Sequence, residues 1–372
     1  MSLKHSFLAV GLAVAAIGAA SSAAAADVRI YGLVTTGLQY TNYQNGTTES
    51  GVAGKGQVPS DSTIHFEARE TLANDWYVGM NVGPKFTIDD GQLFQEGRLF
   101  TASRLFVGNS DIEFAFGGMA GLTVVGEPYS SYARLDANMA MCQFDGIAPA
   151  AITFQPGDVT NAIAFSTPMN RKGFFISGLY SNGDSNATVG DTESLYGWSD
   201  RRHVAQLSSG WVGDHLRTGF VYSYEMPGNY TNAAGGHNKR RDPTQALHLM
   251  ASYNFNGPAV AGILFFSKDA WRLGAVDDLG RVLSQSSSTS SGSRVIAESE
   301  DGMDTQAVIV TARYPIGPHS IALSAGYMHG TWEGVKNDDR DESSVRRNLP
   351  LQLLEAYALL RSCGLPRRTR SF

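Results

Sequence analysis

The chain of 372 residues carries a formal net charge of −6, with 17% charged and 42% hydrophobic residues, 41 Gly and 2 Cys. The charged share lies below the roughly 25% usual for soluble domains. The acidic balance excludes a basic nucleic-acid-binding surface, and two cysteines exclude a disulfide scaffold or a zinc ribbon. Beyond residue 26 no apolar run approaches the ~20 residues of a spanning helix, which excludes a helical membrane bundle.

Residues 1–26 pair a short basic start (Lys4, His5) with an apolar stretch from Phe7 to Ala20 and a small-residue end, Ala24-Ala25-Ala26. This pattern predicts a secretory signal peptide cleaved before Asp27. Residues 27–41, DVRIYGLVTTGLQYT, set Val28, Ile30, Val34 and Leu38 against Arg29, Tyr31, Thr35 and Gln39. That is the period of a strand. The alternation recurs where Ile64 and Phe66 oppose His65 and Glu67, and where Trp76, Val78 and Met80 oppose Tyr77, Gly79 and Asn81. It recurs again where Leu216, Thr218 and Phe220 oppose Arg217, Gly219 and Val221, and over 321–328.

Short turn signals (Asn74-Asp75, Gly213-Asp214, Asn256-Gly257-Pro258, Gly317-Pro318) alternate with longer polar stretches at 42–61, 182–201, 227–244, 272–303 and 329–349. About thirteen strand candidates between 27 and 330, each near the ~10 residues of a tilted spanning strand, predict an all-β, antiparallel transmembrane barrel with tight turns at one end. One face is rich in Gly, Ser, Thr, Arg and Glu and suits water. The other carries Phe66, Trp76, Phe220 and Tyr222 and suits lipid. Period 2 does not say which face is inside, so a secreted soluble sheet protein that binds ligands fits the same alternation.

Several segments, in order, resemble the Gram-negative general porins, in particular the betaproteobacterial trimeric type. They are VRIYGLVTTGLQY, STIHFEARETLANDWYVGMNV, RLFVGNS, GLTVVGEPY and NAIAFSTPMNRKGFFISGLYSNGD. The resemblance covers about residues 1–330. It implies a sixteen-stranded barrel, a water-filled outer-membrane channel for passive diffusion of ions and small hydrophilic solutes, a homotrimer, and contact with outer-membrane lipid and lipopolysaccharide. It implies neither cofactor, metal nor enzyme activity. Where the family usually reads Gly-Arg-Gln, this chain has Gly126-Glu127-Pro128. Residues 350–372, PLQLLEAYALLRSCGLPRRTRSF, lack the alternating strands with which the family ends, although Phe372 is present. The expected organisation is therefore a signal peptide at 1–26, a barrel over 27–349 and an atypical, truncated or frameshifted tail at 350–372.

By the same resemblance, residues about 127–160 fold into the barrel and narrow it. Glu127, Asp136, Asp145 and Asp158 are the acids of that stretch carried forward as constriction residues, with Arg134 its only base. Arg29, Arg69, Arg104 and Arg217 have lumen parity and are expected on the facing wall. Charged side chains across a constriction set selectivity in such pores.

Lys239, Arg240 and Arg241 fall in a long loop and read as a solvated face, with lipopolysaccharide phosphate as the other reading. The cluster Asp338, Asp339, Asp341 and Glu342 matches no calcium-loop spacing. Cys142 reads as a free buried thiol. No Gly-x-Ser-x-Gly, His-Glu-x-x-His or phosphate-loop motif occurs. A barrel enzyme of lipase or protease type would need a nucleophile beside a histidine, and Ser252 with His248, of one parity, is the nearest pair.

Overall fold

A computed structural model describes residues 27–33, 37–42, 48–53, 62–86, 102–123, 129–135, 153, 156, 158–168, 172–183, 202–226, 242–270, 303–317, 319–332 and 357–362. The leader at 1–26 lies outside the described residues, as do Cys142, Cys363, the basic cluster at 239–241 and the acidic cluster at 338–342.

The strands are β1 (Asp27–Leu33), β2 (Gly37–Asn42), β3 (Thr48–Ala53), β4 (Ser62–Thr71), β5 (Tyr77–Gly83), β6 (Lys85–Phe86), β7 (Ala102–Gly108), β8 (Glu113–Ala120) and β9 (Asp158–Ser166). They continue with β10 (Phe174–Ser181), β11 (His203–Val212), β12 (Leu216–Met226), β13 (Thr244–Asn254), β14 (Ala259–Ala270), β15 (Met303–Ile316), β16 (His319–Trp332) and β17 (Tyr357–Ser362). A short helix, α1 (Ser131–Arg134), lies between β8 and β9. All ladders are antiparallel, and the main sheet runs β1-β4-β5-β7-β8 and then in chain order to β17. The fold is thus the antiparallel barrel wall expected from the alternation.

Three details differ from the sequence reading. The stretch 27–41 is two strands, β1 and β2, because the chain leaves the main sheet after Leu33. β2 then pairs β3 in a separate hairpin (Gly37 with Ala53, Asn42 with Thr48), whose second strand lies inside what reads as a polar loop. In the tail, β17 pairs with β16, Tyr357 opposite Ser324 and Ser362 opposite His319.

The short turns follow from their residues. Asn74 takes a left-handed φ of 58°, which Asn tolerates, and closes β4 onto β5. Asn109 Oδ1 accepts the amides of Asp111 (2.8 Å) and Ile112 (3.0 Å), closing β7 onto β8. Asn254 Oδ1 accepts the amide of Gly257 at 3.0 Å, closing β13 onto β14. Each side chain offers the backbone a local partner where the ladder ends.

The two faces are now assigned. Val28 and Ile30 are 66% and 68% exposed, and Ile163, Phe174, Leu249, Leu264, Phe266 and Val310 are exposed with them. These residues share the outward parity. In water such a surface is a liability, whereas in lipid it is the expected one. Inward residues such as Gln206, Ser208, Ser223, His248 and Ser252 are buried, and so are Phe106, Phe175, Val221 and Ile263. The buried apolar cluster joins this inner wall to Leu122, Tyr129, Tyr132 and Leu135. The core therefore lies between the wall and the chain that crosses it from β8 to β9.

Candidate functional site

The site is an inner segment, residues 129–135, laid along one row of wall residues. Cross-strand pairing links Glu113, Ser166, Ser177, Ser208, Val221, His248 and Phe265 in succession, one per strand from β8 to β14. Because the side-chain period is 2, all of them point to the same face. The Tyr129 and Tyr77 hydroxyls donate to the two oxygens of Glu113, the latter at 2.7 Å. Ser131 Oγ donates to Ser208 Oγ at 2.6 Å. The Tyr132 hydroxyl sits 2.5 Å from His248 Nδ1, and the His248 ring packs against Phe265 with centroids 4.8 Å apart.

The ends of the segment are held as well. Leu122 N donates to Gln206 Oε1 at 2.7 Å, and Ser131 N donates to Leu122 O at 2.9 Å. Ser252 Oγ donates to Leu135 O at 2.7 Å, and Arg217 Nη1 donates to Arg134 O at 3.3 Å. Arg134 Nη1 donates to Thr167 O at 3.0 Å, and its guanidinium lies 5.0 Å from the centre of the Phe175 ring. Burial raises the pKa of Tyr129 and of Tyr132, with the Glu113 carboxylate adding to the effect at Tyr129. Burial lowers that of Arg134. The two tyrosines therefore remain hydroxyl donors well into alkaline solution.

The wall arginines divide. Arg104 is 6% exposed, stands 5.2 Å from the Tyr129 ring and leaves its Nε without a hydrogen-bond partner. Arg217 reaches the segment directly. Arg69 stacks on Tyr77, 3.6 Å from the ring centre, and so touches the network one residue removed. Arg29 lies apart on β1, exposed and paired with Asp27 at 2.5 Å. A second inward row, Arg29–Glu67–Asn81–Arg104, sets an acid and a neutral amide between two arginines across β1, β4, β5 and β7. In it Glu67 accepts from Tyr31 (3.3 Å) and Asn81 (3.2 Å).

Of the acids expected at the narrowing, Glu127, Asp136 and Asp145 lie outside the described residues. Asp158 opens β9, paired with Ala120 of β8. Ser252 and His248, the nearest candidates for a catalytic pair, each bind the inner segment instead. The sequence reading missed Glu113, Tyr129, Tyr132 and Ser208. It also missed the buried pair Arg202–Glu225 (2.9 Å). The inward parity of β13 was the one signal that pointed to His248. Among the described residues no group of His, Cys, Asp and Glu is arranged to hold a metal, and no helix is long and apolar enough to cross a membrane.

A family model described as Gram-negative porin matches residues 12–346. Among solved structures, the anion-selective porin from Comamonas acidovorans is similar at 17% identity and a TM-score of 0.53, over 92% of this chain and 96% of that one. OmpT of Vibrio cholerae in its trimer form is similar at 11% identity and a TM-score of 0.50, over 82% of this chain and 78% of that one. Salmonella typhi OmpF in complex with daunomycin is similar at 11% identity and a TM-score of 0.50, over 86% and 82%. At these identities the likeness concerns the fold. No match is found among curated proteins.

Proposed function

The chain belongs to the Gram-negative porins, which form water-filled outer-membrane channels for passive diffusion of ions and small hydrophilic solutes, and from that membership we propose that the segment between β8 and β9 narrows the pore and that charge across it sets ion preference. One observation carries this reading: residues 129–135 are bonded to inward side chains of β8, β11, β12 and β13. Arg104 and Arg217 supply positive charge on the wall, with Arg69 and Arg29 continuing it toward β1. Glu127, Asp136 and Asp145 supply negative charge on the segment, and Asp158 supplies it where the segment rejoins the wall.

Narrowing is what makes these charges matter. Two unit charges ~8 Å apart interact by about 0.5 kcal/mol in bulk water but by about 2 kcal/mol at an effective dielectric near 20. The first is close to thermal energy and the second is several times larger. Reversal potentials in a salt gradient test the proposal. Glu127→Ala with Asp136→Ala lowers the preference for cations over anions, and an unchanged potential removes the segment from the selectivity mechanism.

Three copies associate through their apolar outer walls, with outer-membrane lipid and lipopolysaccharide around them. Cross-linking in outer-membrane vesicles reads this as a trimer. Residues 27–349 act as the barrel unit, with β17 of the 350–372 tail added at the sheet edge. The 1–26 leader is removed, so sequencing of the membrane form starts at Asp27.

A further inference from the structure

The buried ion pair between Arg202 and Glu225 lies outside the row that holds the inner segment. Arg202 immediately precedes β11, and Glu225 is an inward residue of β12. Their side chains are 2% and 0% exposed. Arg202 Nε donates to Glu225 Oε1 at 2.9 Å and Nη2 donates to Glu225 Oε2 at 3.0 Å, so both carboxylate oxygens are engaged. Nη2 also donates to Pro156 O at 2.6 Å. Pro156 lies two residues before β9, on the limb by which the narrowing segment returns to the wall. The same guanidinium thus ties three parts of the chain, and one of them is that limb.

A buried pair of this kind is poor evidence for added stability, because desolvation offsets much of the attraction. The geometry suggests another role. The planar fork of Arg spans a carboxylate and a carbonyl together, which the point charge of Lys does not. Pro156 contributes an acceptor and no donor of its own, so a contact to its carbonyl needs a donor brought to it.

We propose that Arg202 is a positioning residue for the pore: oriented by Glu225, it pins the returning limb of the narrowing segment at Pro156 and thereby fixes the width and charge placement of the constriction. This rests on the porin reading above. The opposite limb is held by Tyr129, Ser131, Tyr132 and Leu135, so the chain between β8 and β9 is tied both near its start and near its return to the wall.

The test uses the full chain refolded into planar bilayers, with unitary conductance, open-channel current noise and reversal potential read separately from thermal stability. Arg202→Lys keeps a cation beside Glu225 but loses the simultaneous reach to Pro156. The double variant Arg202→Met with Glu225→Gln leaves no buried charge uncompensated and also loses the donor, so it covers the case in which the single variant misfolds. Both are expected to form barrels whose open-channel noise rises several-fold and whose reversal potential shifts. Unitary conductance, noise and reversal potential equal to wild type in either folded variant overturn the proposal, even if thermal stability falls. If wild type conducts and the variants match it, the anchor alone is refuted. If wild type does not conduct, the porin reading falls and takes the anchor with it.

Discussion

Tyr132 and His248, 116 residues apart in sequence, meet with the tyrosine hydroxyl 2.5 Å from His248 Nδ1, and both side chains are fully buried. The contact joins the inner segment to the middle of β13. Tyr132→Phe keeps the ring and removes the hydroxyl, leaving the histidine nitrogen without it. The expected cost is about 1–3 kcal/mol, read as a lower unfolding midpoint in denaturant, together with noisier open-channel current.

Alkaline titration separates the tyrosines of the segment from exposed ones. Burial raises the pKa of Tyr129 and Tyr132. A group whose folded pKa is raised contributes stability that is fully present below its unfolded value, about 10 for tyrosine, and is lost as the pH climbs toward the folded value. Ultraviolet phenolate absorbance is therefore expected to show Tyr129 and Tyr132 among the tyrosines that ionise late, together with release of the segment. Tyr129→Phe removes one of them.

Glu113 accepts from Tyr77 and Tyr129, whose rings in turn carry Arg69 and Arg104. Glu113→Ala removes both acceptors and the compensating charge. Reversal potential is expected to move toward anions, and the barrel to lose about 2 kcal/mol, because the buried Tyr129 hydroxyl and the half-buried Tyr77 hydroxyl lose their partner.

The four wall arginines are not equivalent. Arg104→Ala and Arg217→Ala are expected to shift selectivity toward cations, since both side chains contact the inner segment. Arg29→Ala is expected to change it little, because Arg29 is exposed and paired with Asp27. Equal shifts at all three positions would contradict the ranking.

Gly117 has φ +129° where the register between β8 and β9 shifts, and a Cβ there would come within 2.3 Å of the Ser103 carbonyl oxygen. Gly117→Ala is expected to cost about 1–3 kcal/mol through backbone strain. Slower refolding into detergent micelles than for wild type is the readout.

The wall was legible in the sequence because lipid and lumen impose opposite chemistry on alternate residues. Ile64 and Phe66 against His65 and Glu67 state the strand and its two faces. The direction of inside was not legible, since alternation is symmetric, and it came from the burial of Gln206, Ser208 and His248. β3 was missed because Thr48, Glu49, Ser50 and Gly51 give it no apolar stripe, and β2 was read as one strand with β1 because Leu38 and Gln39 continue the alternation. Arg104 and Arg217 could be singled out by parity, but their companions could not. Nothing local in Ser-Tyr-Ala-Arg indicates that its tyrosine meets a histidine on β13, because that pairing is fixed by the curl of a sheet spanning more than a hundred residues.

The segment from Tyr129 to Leu135 is hydrogen-bonded to β8, β11, β12 and β13, and its Arg134 lies over Phe175 of β10 between them. It therefore acts mechanically as a chord drawn across an arc. A curved sheet on its own can flatten or ovalise under the lateral pressure of a bilayer, changing its bore without breaking a single ladder hydrogen bond. With the chord in place, any such deformation must stretch side-chain bonds at both ends of the arc. The segment proposed to narrow the passage is thus also a brace against flattening of the wall.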